Sequence, residues 1–94
     1  MFILSLTYVA PLAEVDRHVP SHMEWVARGY DDGIFLASGR KEPRSGGVIL
    51  ARGERAALEA LVATDPFVSA GVARYEITEV VLSRTAPGLE GLMG

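Results

Sequence analysis

Two histidines stand four residues apart in the first quarter of the chain, and they are its only histidines. This spacing can place two imidazoles on one face of a helix, as in zinc sites with the motif HExxH, where a glutamate follows the first histidine. Here Val19 takes the place of that glutamate, and Pro20 lies between His18 and His22, where it disrupts a continuous helix. We therefore predict no metal site, and we expect His18 to be an exposed residue at a helix break.

His22 has a second possible use, as a catalytic acid or base. A histidine side chain titrates near pH 6.5, so it can accept and return a proton near neutrality. Isomerisation, elimination and hydrolysis reactions all use such a group. The spacing of His22 is also typical of a partly packed helix residue that has no chemical task. The surrounding residues leave these two interpretations open.

The composition limits the functions that these residues can serve. The chain has 94 residues, enough for one domain, and 49% of them are hydrophobic, which is more apolar material than one small core covers. Nine basic and twelve acidic residues give a net charge of −3, so we expect neither a nucleic-acid partner nor a membrane surface. The sequence has no cysteine, which rules out disulfides and thiolate metal sites and fits a cytoplasmic protein. We expect a small-molecule partner and no cofactor.

The periodicity of the hydrophobic residues predicts the secondary structure. The segment MFILSLTYVA alternates with a period of two and has no basic residue, which is typical of a strand rather than a secretory signal. A helical pattern follows, and we expect a break near His18 to Pro20 before a longer helix from about Ser21 to Tyr30. The remaining predicted elements are extended segments at 34–42 and 48–51 joined by a glycine-bearing hairpin loop, a helix at 54–63, a helical turn at DPFVSAG and a strand at 73–82.

Two details of the strands add to this pattern. In the second strand, alternation places Ile34, Leu36 and Ser38 on one face. In the last strand the alternation slips at Glu79, where we expect a bulge or a change of covering partner. The whole order predicts an α+β fold of the ferredoxin-like βαββαβ type, with a four-stranded antiparallel sheet and both helices on one face.

The uncovered face of that sheet predicts a homodimer. Ser5, Thr7 and part of the last strand form a mixed surface that is too apolar for open water. A second copy would cover this surface by closing two sheets into a barrel, so we expect a dimeric α+β barrel. Residues 84–94 contain three glycines and no stable periodicity. We expect them to form a flexible or dimer-embracing extension after a domain at residues 1–83.

The motifs along the chain resemble those of a known family. PSHMEWV with its histidine, then DDGIFLASG, GGVIL and DPFVSAGVARYEI are similar to motifs of the YCII-related proteins, which are small dimeric α+β barrel proteins. The resemblance covers about residues 1–83, and DPFVSAG is its most specific motif. It implies an enzyme in which a histidine and an aspartate lie near each other in a cleft. On this chain that pair would be His22 and Asp65.

Asp65 has a structural interpretation beside the catalytic one. An aspartate followed by proline is a good start for a helix, because the carboxylate accepts hydrogen bonds from free amides and Pro66 suits the first helical position. The same carboxylate can accept the ring N–H of His22 and so fix its tautomer. One side chain can do both, and we predict the catalytic pair His22 and Asp65.

Ser38 and Arg40 are the predicted substrate-binding residues. Many relatives have glycine and proline after the second strand, whereas this chain has Ser38, Gly39 and Arg40. An arginine there indicates either a pocket for an anionic substrate or a different loop, and the sequence leaves this choice open. Without a binding role, Ser38 is a small residue near a strand end, and Arg40 belongs with Lys41 and Arg44 to a solvated turn.

Together these residues and the resemblance predict a small, cofactor-free enzyme that performs acid/base chemistry on a small metabolite. His22 would move the proton, Asp65 would orient it, and Ser38 with Arg40 would hold the oxygens of the substrate. Two other functions fit the same fold. One is a small-molecule-binding module without catalysis, and the other is an accessory protein whose dimer surface or tail docks a larger enzyme.

Overall fold

A computed structural model of the chain describes residues 1–93. The strands are β1 (Phe2–Tyr8), β2 (Phe35–Arg40), β3 (Gly46–Ala51) and β4 (Ala73–Glu79). The helices are α1 (Leu12–Asp16), α2 (Val19–Asp31), α3 (Arg55–Val62) and α4 (Pro66–Ser69), and a short 3₁₀ helix follows at Glu90–Met93. The order of strands and helical segments agrees with the prediction, and each helical segment consists of two pieces.

The four strands form one antiparallel sheet in the order β2-β3-β1-β4. This order confirms the predicted ferredoxin-like α+β fold. Alternation along β1 turns Phe2, Leu4 and Leu6 to one face, and all three are buried. Trp25 of α2 and Leu58 of α3 are buried in the same core, so the helices cover that face. Within residues 1–93, no helix has the length and apolar character needed to cross a membrane.

The first helical segment breaks earlier than predicted. Helix α1 ends at Asp16 and α2 begins at Val19, so Pro20 lies in the first turn of α2 rather than in a break. Proline is tolerated there because the first amides of a helix have no intrahelical acceptor. The residue before α2 is His18, which was expected to be exposed and is half-buried. As a result, His22 lies on the same continuous helix as the buried core residue Trp25.

Strand β2 also differs from the prediction. Phe35 is its buried residue, and not Ile34 or Leu36. The pairing of β2 with β3 shifts register between Phe35 and Ala37. A bulge adds one residue to a strand and so changes which residues share a face. Here it places Ser38 on the same face as Phe35, because Phe35 pairs with Ala51 and Ser38 with Ile49. The irregularity therefore turns Ser38 toward the helix-covered side of the sheet.

Two glycines explain local packing around the sheet. A Cβ on Gly29 of α2 would lie 2.2 Å from the Phe35 ring, so only glycine lets α2 approach β2 this closely. A Cβ on Gly46 would lie 1.8 Å from the backbone oxygen of Leu6, because β3 begins in contact with β1 there. The prediction that the hairpin loop carries Gly46 and Gly47 was therefore wrong, because they are the first two residues of strand β3.

The last strand ends where its alternation slips. Strand β4 stops at Glu79, earlier than the predicted end at residue 82, and the amide of Val80 then bonds the Met1 carbonyl oxygen. The 3₁₀ helix at Glu90–Met93 has no buried residue. That residues 84–94 form a flexible or dimer-embracing extension stays a prediction. The last of these residues, Gly94, lies outside the described part of the chain.

Candidate active site

A cavity of about 410 Å³ lies between α2 and the helix-covered face of the sheet. This volume is in the range of pockets that bind small molecules. Most of its wall is apolar side chain or glycine backbone. The polar side chains that line it are those of Tyr8, His22, Ser38, Arg40, Arg44 and Tyr75.

The register of the sheet explains the position of the cavity. Arg40 pairs with Gly47, Gly47 with Leu6, and Leu6 with Tyr75, so these four residues form one row across the strands. Neighbouring strands lie about 4.8 Å apart, which places the backbones of Arg40 and Tyr75 roughly 14 Å apart at opposite edges. Since Gly47 has no side chain, space remains between the two edges.

His22 approaches this row from α2 and is bonded to Asp65. The ring nitrogen Nδ1 of His22 lies 2.8 Å from Oδ1 and 3.0 Å from Oδ2 of Asp65. A carboxylate accepts hydrogen bonds, so Nδ1 carries the hydrogen in this contact. Nε2 has no partner among residues 1–93, and it is the nitrogen available to a molecule in the cavity. The imidazole is therefore held in one tautomer with its basic nitrogen free.

Asp65 is fully buried and accepts hydrogen bonds from three groups. Besides His22, the amide of Phe67 donates to Oδ1 at 2.9 Å, and the hydroxyl of Tyr75 donates to Oδ2 at 2.5 Å. The Phe67 bond caps the N-terminus of α4, as the Asp-Pro sequence predicts. Asp65 does not itself line the cavity, so it can act on a substrate only through His22 or Tyr75.

Tyr75 is the residue of this group that the sequence did not single out. Its burial, together with the adjacent charge of Asp65 and the hydrogen bond between them, raises the pKa of Tyr75 well above its ordinary value. The phenol therefore stays protonated and remains a donor to the carboxylate. The sequence contained a partial signal, because alternation along β4 places Tyr75 on the covered face, where a hydroxyl needs a partner.

Aromatic packing fixes the plane of the His22 ring. The ring stacks on Phe67 with centroids 4.0 Å apart and an interplanar angle of 10°, and Trp25 flanks it at 5.9 Å. The indole Nε1 of Trp25 donates to Thr64 Oγ1 at 3.0 Å. Thr64 immediately precedes Asp65, so this bond ties the segment that carries the carboxylate to the helix that carries His22.

Ser38 and Arg40 line the cavity from β2, on the side away from Tyr75. The hydroxyls of Ser38 and Tyr30 are 2.7 Å apart and share a hydrogen bond. Arg40 is exposed and forms no ion pair within residues 1–93. Arg44, which the sequence placed in a solvated turn, also lines the cavity. The β2–β3 hairpin places Arg44 at the cavity. The sequence did not predict this position because it does not define the geometry of the hairpin.

The structure therefore brings His22 and Asp65 into direct contact and places Ser38 and Arg40 at the same cavity. Their roles in binding or catalysis stay predictions. His18 does not line the cavity. Within the described residues, no group of three or more histidine, cysteine, aspartate or glutamate side chains is arranged to hold a metal ion.

Comparisons with known proteins support the fold and the family. No curated protein matches the chain. Among solved structures, it resembles 5-chloro-2-hydroxyhydroquinone dehydrochlorinase from Burkholderia phenoliruptrix AC1100, in complex with 2,5-dihydroxybenzoquinone, with a TM-score of 0.67 and 14% identity. The match covers 85% of this chain and 93% of that chain, and at this identity it shows the fold. The family model of the YCII-related domain matches residues 1–81, so the chain belongs to the YCII-related family that its motifs resemble.

Proposed function

We propose that the chain is an enzyme that uses His22 as a general acid and base on a small, oxygen-rich metabolite. The observation that carries the proposal is the 2.8 Å contact between His22 Nδ1 and the fully buried Asp65. This contact leaves Nε2 as the basic nitrogen without a partner among residues 1–93, on a side chain that lines the cavity. The negative carboxylate also stabilises the imidazolium that forms when Nε2 takes a proton.

Elimination is the reaction that we favour among isomerisation, elimination and hydrolysis, because the structural neighbour is named a dehydrochlorinase. In such a step Nε2 takes a proton from a hydroxyl or carbon of the substrate. The electron pair left behind forms a new double bond and expels the leaving group as an anion. His22 then returns its proton to solvent or to the departing anion, so the net change is the loss of one molecule of acid.

Ser38 and Arg40 would hold the substrate in this reaction. The Ser38 hydroxyl is oriented by Tyr30, and the guanidinium of Arg40 has donors available for substrate oxygens. The two side chains and His22 line one cavity, which lets a molecule of ring size contact them together. Binding at several points positions the reacting atoms, and such positioning lowers the barrier.

The test compares the substitutions His22→Gln and His18→Gln. The substrates are chlorinated hydroxyhydroquinones, and the measurement is chloride release by the purified chain. We expect His22→Gln to lower turnover at least about 100-fold, in the range for a lost general base, and His18→Gln to leave it unchanged because His18 lies outside the cavity. Equal turnover by the two variants would remove His22 from the mechanism. Binding of these compounds without turnover by the unmodified chain would favour the small-molecule-binding module instead.

The homodimer and the cytoplasmic location belong to the same proposal. On the open sheet face, Ile3 pairs with Leu50, and both are half-buried in the single chain. A second copy would cover this apolar pair, and light scattering should then give about twice the chain mass of 10.1 kDa. We expect Leu50→Glu to lower that mass, while a monomeric mass for the unmodified chain would contradict the dimer. Cell fractionation tests the cytoplasmic location, which rests on the absence of cysteine.

A further inference from the structure

The charged side chains in the cavity wall are of one sign. Arg40 and Arg44 line the cavity, and none of the aspartates and glutamates in the described part of the chain does. The carboxylate behind the wall, Asp65, is fully buried and already accepts bonds from three donors. Arg44 is paired with Asp16, whereas Arg40 forms no ion pair within residues 1–93. Because apolar walls reduce the screening of charge, the unpaired guanidinium of Arg40 beside that of Arg44 favours a negatively charged ligand.

Arg44 is held in a defined position at this cavity. Its Nη2 donates to Asp16 Oδ1 at 2.5 Å, and its guanidinium carbon lies 5.8 Å from the centre of the Tyr8 ring. Tyr8 in turn packs edge-on against Phe67, the ring on which His22 stacks. A guanidinium has five N–H donors, so the bond to Asp16 leaves several free for a ligand.

Arg40 approaches the same space from the sheet. It lies at the end of β2, two residues after Ser38 on the same face, and pairs with Gly47 of β3. Gly47 also lines the cavity, and it leaves open the space next to Arg40. Arg40 makes no ion pair with any residue from 1 to 93, so its charge is not neutralised by the protein.

We infer that the substrate is a cyclic organic anion whose carboxylate or ionised hydroxyl binds between Arg40 and Arg44, while its ring contacts the apolar wall. This inference rests on the proposed function, because it places the anionic end on the β2 side of the cavity and the reacting hydrogen at His22. The planar forks of the two arginines match the geometry of a carboxylate. The apolar wall includes Val26, Ile49 and Phe67, which suit a ring better than a short polar acid.

Benzoate and benzamide test the charge requirement, because the two probes share a ring and a size and differ in charge. Isothermal titration of the full chain at neutral pH should show benzoate binding at least about tenfold tighter than benzamide. Arg40→Gln and Arg44→Gln should each weaken benzoate binding about tenfold and leave benzamide binding unchanged. Equal affinities for the two probes, or no saturable benzoate binding at millimolar concentrations, would overturn the inference.

Lys41 provides the matched control. It follows Arg40 in the chain and has the same charge, but its Nζ lies 3.4 Å from Thr7 Oγ1 and it does not line the cavity. Lys41→Gln should leave both affinities unchanged. A loss of benzoate binding equal to that of Arg40→Gln would mean that net charge alone attracts the anion, and the site between the arginines would be wrong.

The His22→Gln variant separates this inference from the proposed function. We expect it to bind benzoate within about threefold of the unmodified chain, because His22 bonds to Asp65 and makes no hydrogen bond to either arginine within the described residues. Selective benzoate binding together with full turnover by His22→Gln would leave the anion site standing and refute the acid/base role. Loss of turnover without any preference for benzoate would refute the anion site alone.

Discussion

The two sides of the cavity are built in opposite ways. On one side, the buried wall consists of His22 and Tyr75, which line the cavity, and of Asp65 directly behind them. Asp65 is 0% and the His22 side chain 13% exposed. On the other, Ser38, Arg40 and Arg44 form a cationic rim, and the Arg44 side chain is 34% exposed. The buried wall makes its hydrogen bonds before a ligand arrives, whereas the cationic rim keeps donors available for one.

This difference follows from the chemistry proposed for each side. A proton-transfer group works best in a fixed tautomer and orientation, which requires supporting bonds in a dry environment. A group that recognises an anion must exchange water for the ligand, so exposure is useful there. The same difference predicts that substitutions in the buried wall reduce both stability and activity, and that substitutions in the cationic rim reduce binding alone.

The largest effect on stability is expected from Asp65→Ala. The substitution removes the acceptor of three donors and the cap of α4, so we expect a loss of roughly 3 to 5 kcal/mol in the free energy of unfolding. Arg40→Ala in the cationic rim should cost less than about 0.5 kcal/mol. Urea unfolding at neutral pH measures both.

Asp65→Asn serves as the control for packing at this position. Asparagine caps a helix as well as aspartate does, so this variant should lose less stability than Asp65→Ala while still disturbing the orientation of His22. Similar losses for Asp65→Ala and Arg40→Ala would contradict the distinction between the two sides.

The next effect is the pH dependence that Tyr75 contributes. The pKa of Tyr75 is raised in the folded chain by burial and then by the charge of Asp65. A raised folded-state pKa gives stability that is fully present below the unfolded value of about 10 and decreases as the pH rises above it. We expect the unmodified chain to lose stability above about pH 10, and Tyr75→Phe to lose less over the same range.

Tyr30→Phe is the matched control for that measurement, because Tyr30 is exposed and bonds Ser38 of the cationic rim. Urea unfolding from pH 8 to 11 should show the steeper alkaline decrease in both the unmodified chain and Tyr30→Phe. An unchanged slope in Tyr75→Phe would show that the buried phenol does not cause the decrease.

The smallest effect is expected at the bond that joins α2 to the Asp65 segment. Thr64→Val leaves the N–H of the buried Trp25 without its acceptor, which should cost about 1 to 2 kcal/mol. Its counterpart in the cationic rim, Ser38→Ala, loses an exposed bond to Tyr30 and should cost less than about 0.5 kcal/mol. Thermal unfolding compares the two, and a larger shift for Ser38→Ala would reverse the expected order.

Much of the fold could be predicted because its signals are local. Alternation in β1 and the Asp-Pro start of α4 depend on residues near each other in the chain. Predictions were wrong where distant residues decided the outcome. The Phe35 ring packs against Gly29, and this contact accompanies a shifted β2 register that alternation alone did not indicate.

The sequence by itself determined the order of the elements, the antiparallel α+β class and the residue types available for chemistry, because hydrophobic periodicity and helix-start residues act over a few positions. Tertiary structure alone decided that His22 meets Asp65 across 43 residues, that Tyr75 supplies a third donor to the carboxylate, and that Arg44 joins Arg40 at the cavity. These contacts depend on sheet register and on how α2 and α4 pack together, and both are set by the sum of many long-range contacts rather than by any local pattern.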